Sequence, residues 1–277
     1  MELFATLSPE QWALLLGGII ALGAAAGFLA GLLGIGGGIV LVPGIYFLFE
    51  TLGFQSPYLM HLAVGTSLSI IIPTGFSSAR AHWKKGSVDM SLIKLIGPGV
   101  LLGVLGGTVL ASYMSGADLR LVFAVAIMVL ALIMLGNPAR FNLLKTVPGR
   151  LGSGLAGIVI GCVSTLVGVG GATMSVPYMS IAQVPMHRAV GTASALGMFI
   201  AVPGALGFLW IGRGAELMPP FSFGYLNLLA WAAIVPVSVS VAPLGAKVAH
   251  CCSVNVLRRG FAVFMLVVAV KMGLDVL

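Results

Sequence analysis

The stretch "LLGIGGGIVLVPG" runs from Leu32 to Gly44, and "LVGVGGATMSVPY" runs from Leu166 to Tyr178. In both, a knot of glycines interrupts an apolar run and a proline follows at the same distance. Gly34, Gly36, Gly37 and Pro43 match Gly168, Gly170, Gly171 and Pro177 at an offset of 134 residues. Clustered glycines lose too much backbone freedom on ordering to sit inside a regular helix, so each knot marks a break. An oily chain that breaks twice in the same way is built from two copies of one unit, and in transporters such internal symmetry points to the binding site.

The repeat extends outward from the knots. At an offset of 126, Met60, His61, Ala63, Val64, Gly65 and Thr66 recur as Met186, His187, Ala189, Val190, Gly191 and Thr192. At 138, Pro98, Gly107, Leu119, Arg120, Phe123, Ala124 and Val125 recur as Pro236, Gly245, Leu257, Arg258, Phe261, Ala262 and Val263. The order is the same in both halves and only the connecting lengths differ. This predicts a first repeat over 1–136, a linker over 137–150 and a second repeat over 151–277. The linker region "GNPARFNLLKTVPGR" (Gly136 to Arg150) is polar, basic and broken by prolines.

Composition sets the solvent. Apolar residues make up 59% of the 277 positions and charged residues 8%, against roughly 25% charged in soluble domains. Seven apolar stretches, near 12–33, 62–82, 91–113, 119–136, 189–211, 225–247 and 256–277, have the length of about 20 residues that a helix needs to cross a bilayer. Two shorter ones, near 39–52 and 172–183, do not. The start "MELFATLSPEQW" carries acids where a secretory signal carries bases, so the first apolar stretch is expected to stay in the mature protein.

The net charge of +7 belongs to short loops between spans, where basic residues set orientation and meet anionic lipid headgroups; nucleic acid is not an expected partner. Cys162, Cys251 and Cys252 form neither a disulfide framework nor a metal-ligand spacing and read as packing residues, so no metal or cofactor is expected.

Charge also decides how the knotted segments lie. If each is a re-entrant hairpin, Arg80, Lys84, Lys85, Lys94, Arg140, Lys145, Arg150, Arg188, Lys247, Arg258 and Arg259 share one side, leaving Arg120, Arg213 and Lys271 opposite. If each segment crosses instead, Lys247, Arg258 and Arg259 are stranded outside, against the tendency of Lys and Arg to stay cytoplasmic. The expected fold is therefore an all-α polytopic membrane protein of two inverted-topology repeats. Each repeat is a glycine-broken re-entrant helical hairpin plus three transmembrane helices.

Broken backbone at membrane depth survives only when buried in protein or lining a wet cavity. Beyond each knot a helix begins, with N–H groups near Gly37, Gly38 and Ile39 in one half and Gly171, Ala172 and Thr173 in the other that lack helical acceptors. A helix start carries roughly half a positive charge, so two starts converging at mid-depth make an anion site without a basic side chain. Thr66, Ser67, Thr192, Ser194, Ser164, Thr165 and Thr173 supply nearby hydroxyls, which donate at a lower desolvation cost than a charged group. Gly23, Gly27 and Gly31, and also Gly99 and Gly103, have the small-xxx-small spacing of close helix packing and are read that way.

These residues together resemble the TauE/SafE sulfite exporter family, or TSUP transporters. The likeness rests on "GFLAGLLGIGGGIVLVP" (Gly27 to Pro43), "AVGTSL" (Ala63 to Leu68), "AHWKKGSVD" (Ala81 to Asp89), "PGVLLGVLGG" (Pro98 to Gly107), "GVGGATMSVP" (Gly168 to Pro177) and "AVGTA" (Ala189 to Ala193), and covers nearly the whole chain. It implies a multi-pass carrier in the bacterial inner membrane for small sulfur-containing anions, such as sulfite, sulfoacetate or related sulfonates, in an exporting direction. It also implies a shared core of Gly36, Gly37, Gly38, Gly170 and Gly171 with Thr66 and Thr192. Ala193 stands where the first half has Ser67, so the two cradles differ.

Other groups are read more plainly. Arg80 and His82 precede "WKKG" at the end of a span and either flank it on the basic side or draw anions toward a vestibule. His61 and His187 sit at matched helix starts as interfacial anchors, with proton coupling as the alternative reading. All seven acids lie in termini, loops or helix ends, which disfavours a cation pump while leaving H+ or Na+ coupling and homo-oligomerisation open. An anion channel and an intramembrane enzyme are the rival functions. Against the enzyme, no base is paired with Ser164 or Cys162, and neither knot completes G-x-G-x-x-G.

Overall fold

The computed structural model describes residues 8–33, 37–136, 147–251 and 254–274. Among these are ten helices and one two-stranded hairpin: α1 (Pro9–Leu33), α2 (Gly38–Thr51), α3 (Leu59–Lys84), α4 (Met90–Tyr113), α5 (Gly116–Leu135), α6 (Arg150–Val167), α7 (Gly171–Ile181), α8 (Met186–Ile211), β1 (Ser222–Phe223), β2 (Leu226–Asn227), α9 (Leu228–Cys251) and α10 (Val254–Leu274). Seven are long and apolar enough to cross a membrane: those at Pro9–Gly31, Leu59–Lys84, Met90–Tyr113, Gly116–Leu135, Arg150–Val167, Met186–Ile211 and Leu228–Gly245. The sequence reading differs at one place: it passed over Arg150–Val167, where Gly and Ser dilute the apolar run. The stretch read near 256–277 ends outside the described residues.

Local chemistry starts and stops these helices. The Asp89 carboxylate caps α4 by accepting from the N–H groups of Ser91 and Leu92, and Ser115 with Asp118 forms a capping box at α5. α6 ends where Gly168 takes the left-handed conformation (φ 69°), which lets its own N–H and that of Val169 bond back to the last turn. Gly37, also left-handed (φ 73°), precedes α2.

The two short helices double back. Side chains added at Gly18, Gly44 and Gly37 would meet Leu48, Leu22 and Ala26 in turn, so α2 retraces α1 from its knot. In the other half Tyr178, late in α7, lies 3.3 Å from Ser153, early in α6. The long helices then pair in matched fashion: α4 with α6 and α9 with α1, while α3 packs on α8 and α5 on α10. Both cross-repeat seams are glycine-mediated. In one, Gly99 sits against the Gly154 backbone and Gly103 against Ile158; in the other, Gly27 sits against Ser238.

Candidate functional site

The knots meet at the centre of the molecule. A Cβ on Gly38 would lie 2.7 Å from the Gly168 carbonyl oxygen and 2.9 Å from Val169 Cα, so backbone touches backbone with no room for a side chain. The Ser67 hydroxyl donates to that same Gly168 carbonyl at 2.8 Å. The start of α2 is therefore held against the end of α6, and α7 opens onto a cavity of about 340 Å³ at Gly170, Gly171 and Ala172.

No side chain caps α7 at Gly170. Gly197 on α8 packs against it, and a Cβ there would come within 3.3 Å of the Gly171 nitrogen. The cavity walls come from α1 (Gly27, Gly31), α3 (Thr74, Ser77, Ser78, His82), α8 (Ala193, Ser194, Gly197) and α9 (Ser238). Of the titratable side chains, His82 alone lines it among the described residues. The cavity runs along the second half of α3, toward the end of the molecule where Arg80, Lys84, Lys85 and Arg188 are exposed.

Most hydroxyl protons on this surface are already committed: Thr74 donates to Ile70 and Ile71, Ser78 to Ser194, Ser194 to Val190, and Ser238 to Gly23. What remains aimed at the cavity is the backbone at the start of α7, where the helix carries partial positive charge. An anion would be held there by main-chain donors in a low-dielectric wall, with local hydroxyl dipoles able to turn toward it.

The sequence-predicted residues divide. Gly170, Gly171 and Ser194 line the cavity. Gly37 borders a separate small void with Leu29, Ile39, Val40 and Phe261, and Gly38 is sealed between the knots. Gly36 lies outside the described residues. Thr173 is buried in the first turn of α7 with its hydroxyl unpartnered. Arg80 is exposed near the mouth, whereas His82 reaches the wall.

Thr66 and Thr192 occupy equivalent places away from the cavity wall. Thr66 Oγ1 accepts the Asn227 N–H and Thr192 Oγ1 accepts the Asp89 N–H, both at 2.9 Å. Asn227 and Asp89 are themselves matched at an offset of 138. Each threonine thus pins the start of a long helix from the other half of the chain, and Arg188 adds an ion pair to Asp89. Replacing Thr66 with Val keeps the shape but orphans the Asn227 N–H, whose residue is 1% exposed. Thr66→Val is expected to lower stability by about 1–3 kcal/mol, read as a fall in unfolding midpoint, with anion affinity unchanged.

Sequence reasoning missed Thr74, Ser77, Ser78, Gly197 and Ser238. A signal existed for the first three: the polar run "PTGFSS" (Pro73 to Ser78) inside an otherwise apolar span. Nothing in the sequence marked Gly197 apart from other helical glycines.

The model of the family "Sulfite exporter TauE/SafE" matches residues 19–272. A protein called probable membrane transporter protein from Haemophilus influenzae is 33% identical over 255 residues, covering 92% of this chain and 97% of its own length. The probable membrane transporter proteins MJ0441 from Methanocaldococcus jannaschii and YunE from Bacillus subtilis are 26% and 29% identical, over 86% and 83% of this chain and 88% and 87% of theirs. No solved structure matches the chain.

Proposed function

This chain belongs to the TauE/SafE sulfite exporter family, and from that premise we propose that it exports a small, sulfur-containing oxyanion by alternating access around the start of α7. It is a multi-pass membrane protein whose relatives are named as transporters. The observation that carries the reading is the uncapped helix start at Gly170–Ala172 opening onto a cavity that no lysine or arginine among the described residues lines. Such a site attracts negative charge yet holds it loosely enough to release it, as a carrier requires.

The two halves are inverted repeats in this reading. Supporting it are the doubling back of α2 on α1 and of α7 on α6, and the matched pairing of α4 with α6 and α9 with α1. The cavity then opens to the cytoplasmic side, marked by the exposed basic residues near its mouth.

Purified protein heated with sulfite, sulfate, thiosulfate, sulfoacetate or simple carboxylates tests the substrate class. A sulfur oxyanion present at a hundred times its Kd should stabilise the protein by about 2.7 kcal/mol. A panel in which no anion shifts the transition defeats the reading. In liposomes, saturable flux of the stabilising anion is expected; non-saturating conductance would replace the carrier with a channel.

A further inference from the structure

A buried hydroxyl without a partner is destabilising, and the described residues hold five: Thr108, Ser164, Thr165, Thr173 and Ser175, each at most 8% exposed. Thr173 belongs to the start of α7. Ser175 lies further along α7, Ser164 and Thr165 lie at the end of α6, and Thr108 lies on α4. A Cβ on Gly204 would meet the Thr165 methyl at 3.8 Å, and one on Gly207 would lie 2.7 Å from Thr108 Oγ1, so Thr165 and Thr108 lie along α8 on the way to Phe208.

The repeat correspondence gives them a common meaning. Ala30, Gly31 and Leu41 line the open cavity, and their counterparts at an offset of 134 are Ser164, Thr165 and Ser175. Ser78, Ala81 and His82 line it nearer the mouth, and their counterparts at 126 are Gly204, Gly207 and Phe208. In the inverted-repeat reading the counterparts trace a path equivalent to the open cavity but leading to the opposite end. That path is shut. Phe208 is fully buried, and Tyr225 covers it with ring centroids 6.4 Å apart and its N–H bonded to the Phe208 carbonyl. Tyr225 also lies 5.0 Å from the His61 ring and 5.5 Å from that of Tyr58. Burial, with Tyr58 alongside, raises the Tyr225 pKa and keeps the phenol neutral.

We propose that Ser164, Thr165, Ser175 and Thr108 line a second, closed vestibule for the anion, sealed by an aromatic plug of Phe208, Tyr225 and His61. The proposal rests on the two-repeat carrier reading above. An oxyanion leaving the backbone cradle toward the far side must exchange donor for donor, and neutral hydroxyls supply them without trapping it. The open cavity has Ala, Gly and Leu at the matching places, so the two routes are chemically unequal. In the closed state the unpaired hydroxyls raise the free energy of this side, which favours its opening.

Sided labelling tests this in a full-length background lacking Cys162, Cys251 and Cys252. A membrane-impermeant maleimide is applied to vesicles of each orientation. Ser78→Cys should label from the basic side; Ser164→Cys and Ser175→Cys should label from the opposite side only, and at least tenfold faster once Tyr225→Ala removes the plug. If Ser78→Cys labels as expected while Ser164→Cys and Ser175→Cys resist the reagent from the opposite side with the plug removed, the second vestibule is wrong and the carrier reading stands. Failure of Ser78→Cys to label, or absence of flux in the parent, removes the carrier reading itself. A second measurement is independent of labelling: the Ser164→Ala, Ser175→Ala double variant should be at least as heat-stable as the parent and transport at least tenfold slower. Unchanged flux in that variant would overturn the proposal.

Discussion

Gly171→Ala is expected to abolish anion binding and transport. The added methyl would lie 2.6 Å from the Gly197 nitrogen and 2.8 Å from its Cα. These are backbone atoms of α8, so no side-chain rotation relieves the contact, and the start of α7 must move off α8. A displacement of about 1 Å at a binding centre commonly costs on the order of a hundredfold in function. Among the described residues no lysine or arginine lines the cavity to compensate for a misplaced helix start. The measurement is the thermal shift with sulfite or another stabilising anion, followed by liposome flux, on monodisperse protein. Gly197→Ala is the graded companion: its methyl would sit 3.3 Å from the Gly171 nitrogen, a distance the neighbours can absorb while partly covering the N–H. It should weaken binding about tenfold, near 1.4 kcal/mol. Parental affinity in Gly171→Ala would remove the helix start from the mechanism.

Gly103→Val is expected to have the largest effect on stability. A Cβ at Gly103 would come within 2.1 Å of the Ile158 carbonyl oxygen and 2.9 Å of the Cys162 nitrogen, where α4 and α6 lie backbone to backbone. Gly99, Gly157 and Gly161 make equivalent contacts along the same seam, so no part of it can give way locally. Overpacking of this kind typically costs about 1–3 kcal/mol where side chains can adjust, and more where they cannot. With only backbone in contact, a loss of about 3 kcal/mol or more is expected, which corresponds to a fall in midpoint on the order of 10 °C. The seam joins a helix of the first repeat to one of the second, so the two halves should loosen together. Detergent-solubilised Gly103→Val should elute broadly and unfold at a lower temperature. A variant as stable as the parent would mean that the seam is not a close contact in solution.

Much of this molecule could be read from its residues. The apolar composition, the helix breaks at both knots and the Schellman-type stop at Gly168 follow from local chemistry: solvent preference, chain entropy and backbone sterics act within a few residues. The repeat was legible because it is written in matching letters. The helix at Arg150–Val167 was not, because six of its eighteen residues are Gly or Ser, and what packs it inside the molecule is the glycine seam it forms with α4.

The site divides along the same line. Sequence alone located the glycine-broken helix starts, since donors without acceptors are a property of any helix beginning. It could not say which start opens onto a cavity. Thr66 and Thr192 carry hydroxyls beside the knots in sequence, but their oxygens accept helix-start N–H groups from residues 161 and 103 positions away. Ser67 turns to the Gly168 carbonyl, 101 positions away, whereas its repeat counterpart Ala193 lines the cavity. Residues matched in the sequence thus have unequal surroundings. The amino-acid order determined where backbone donors would be left free; packing between the halves decided which of them face a cavity and which are buried against carbonyls, since that depends on contacts between residues a hundred or more positions apart.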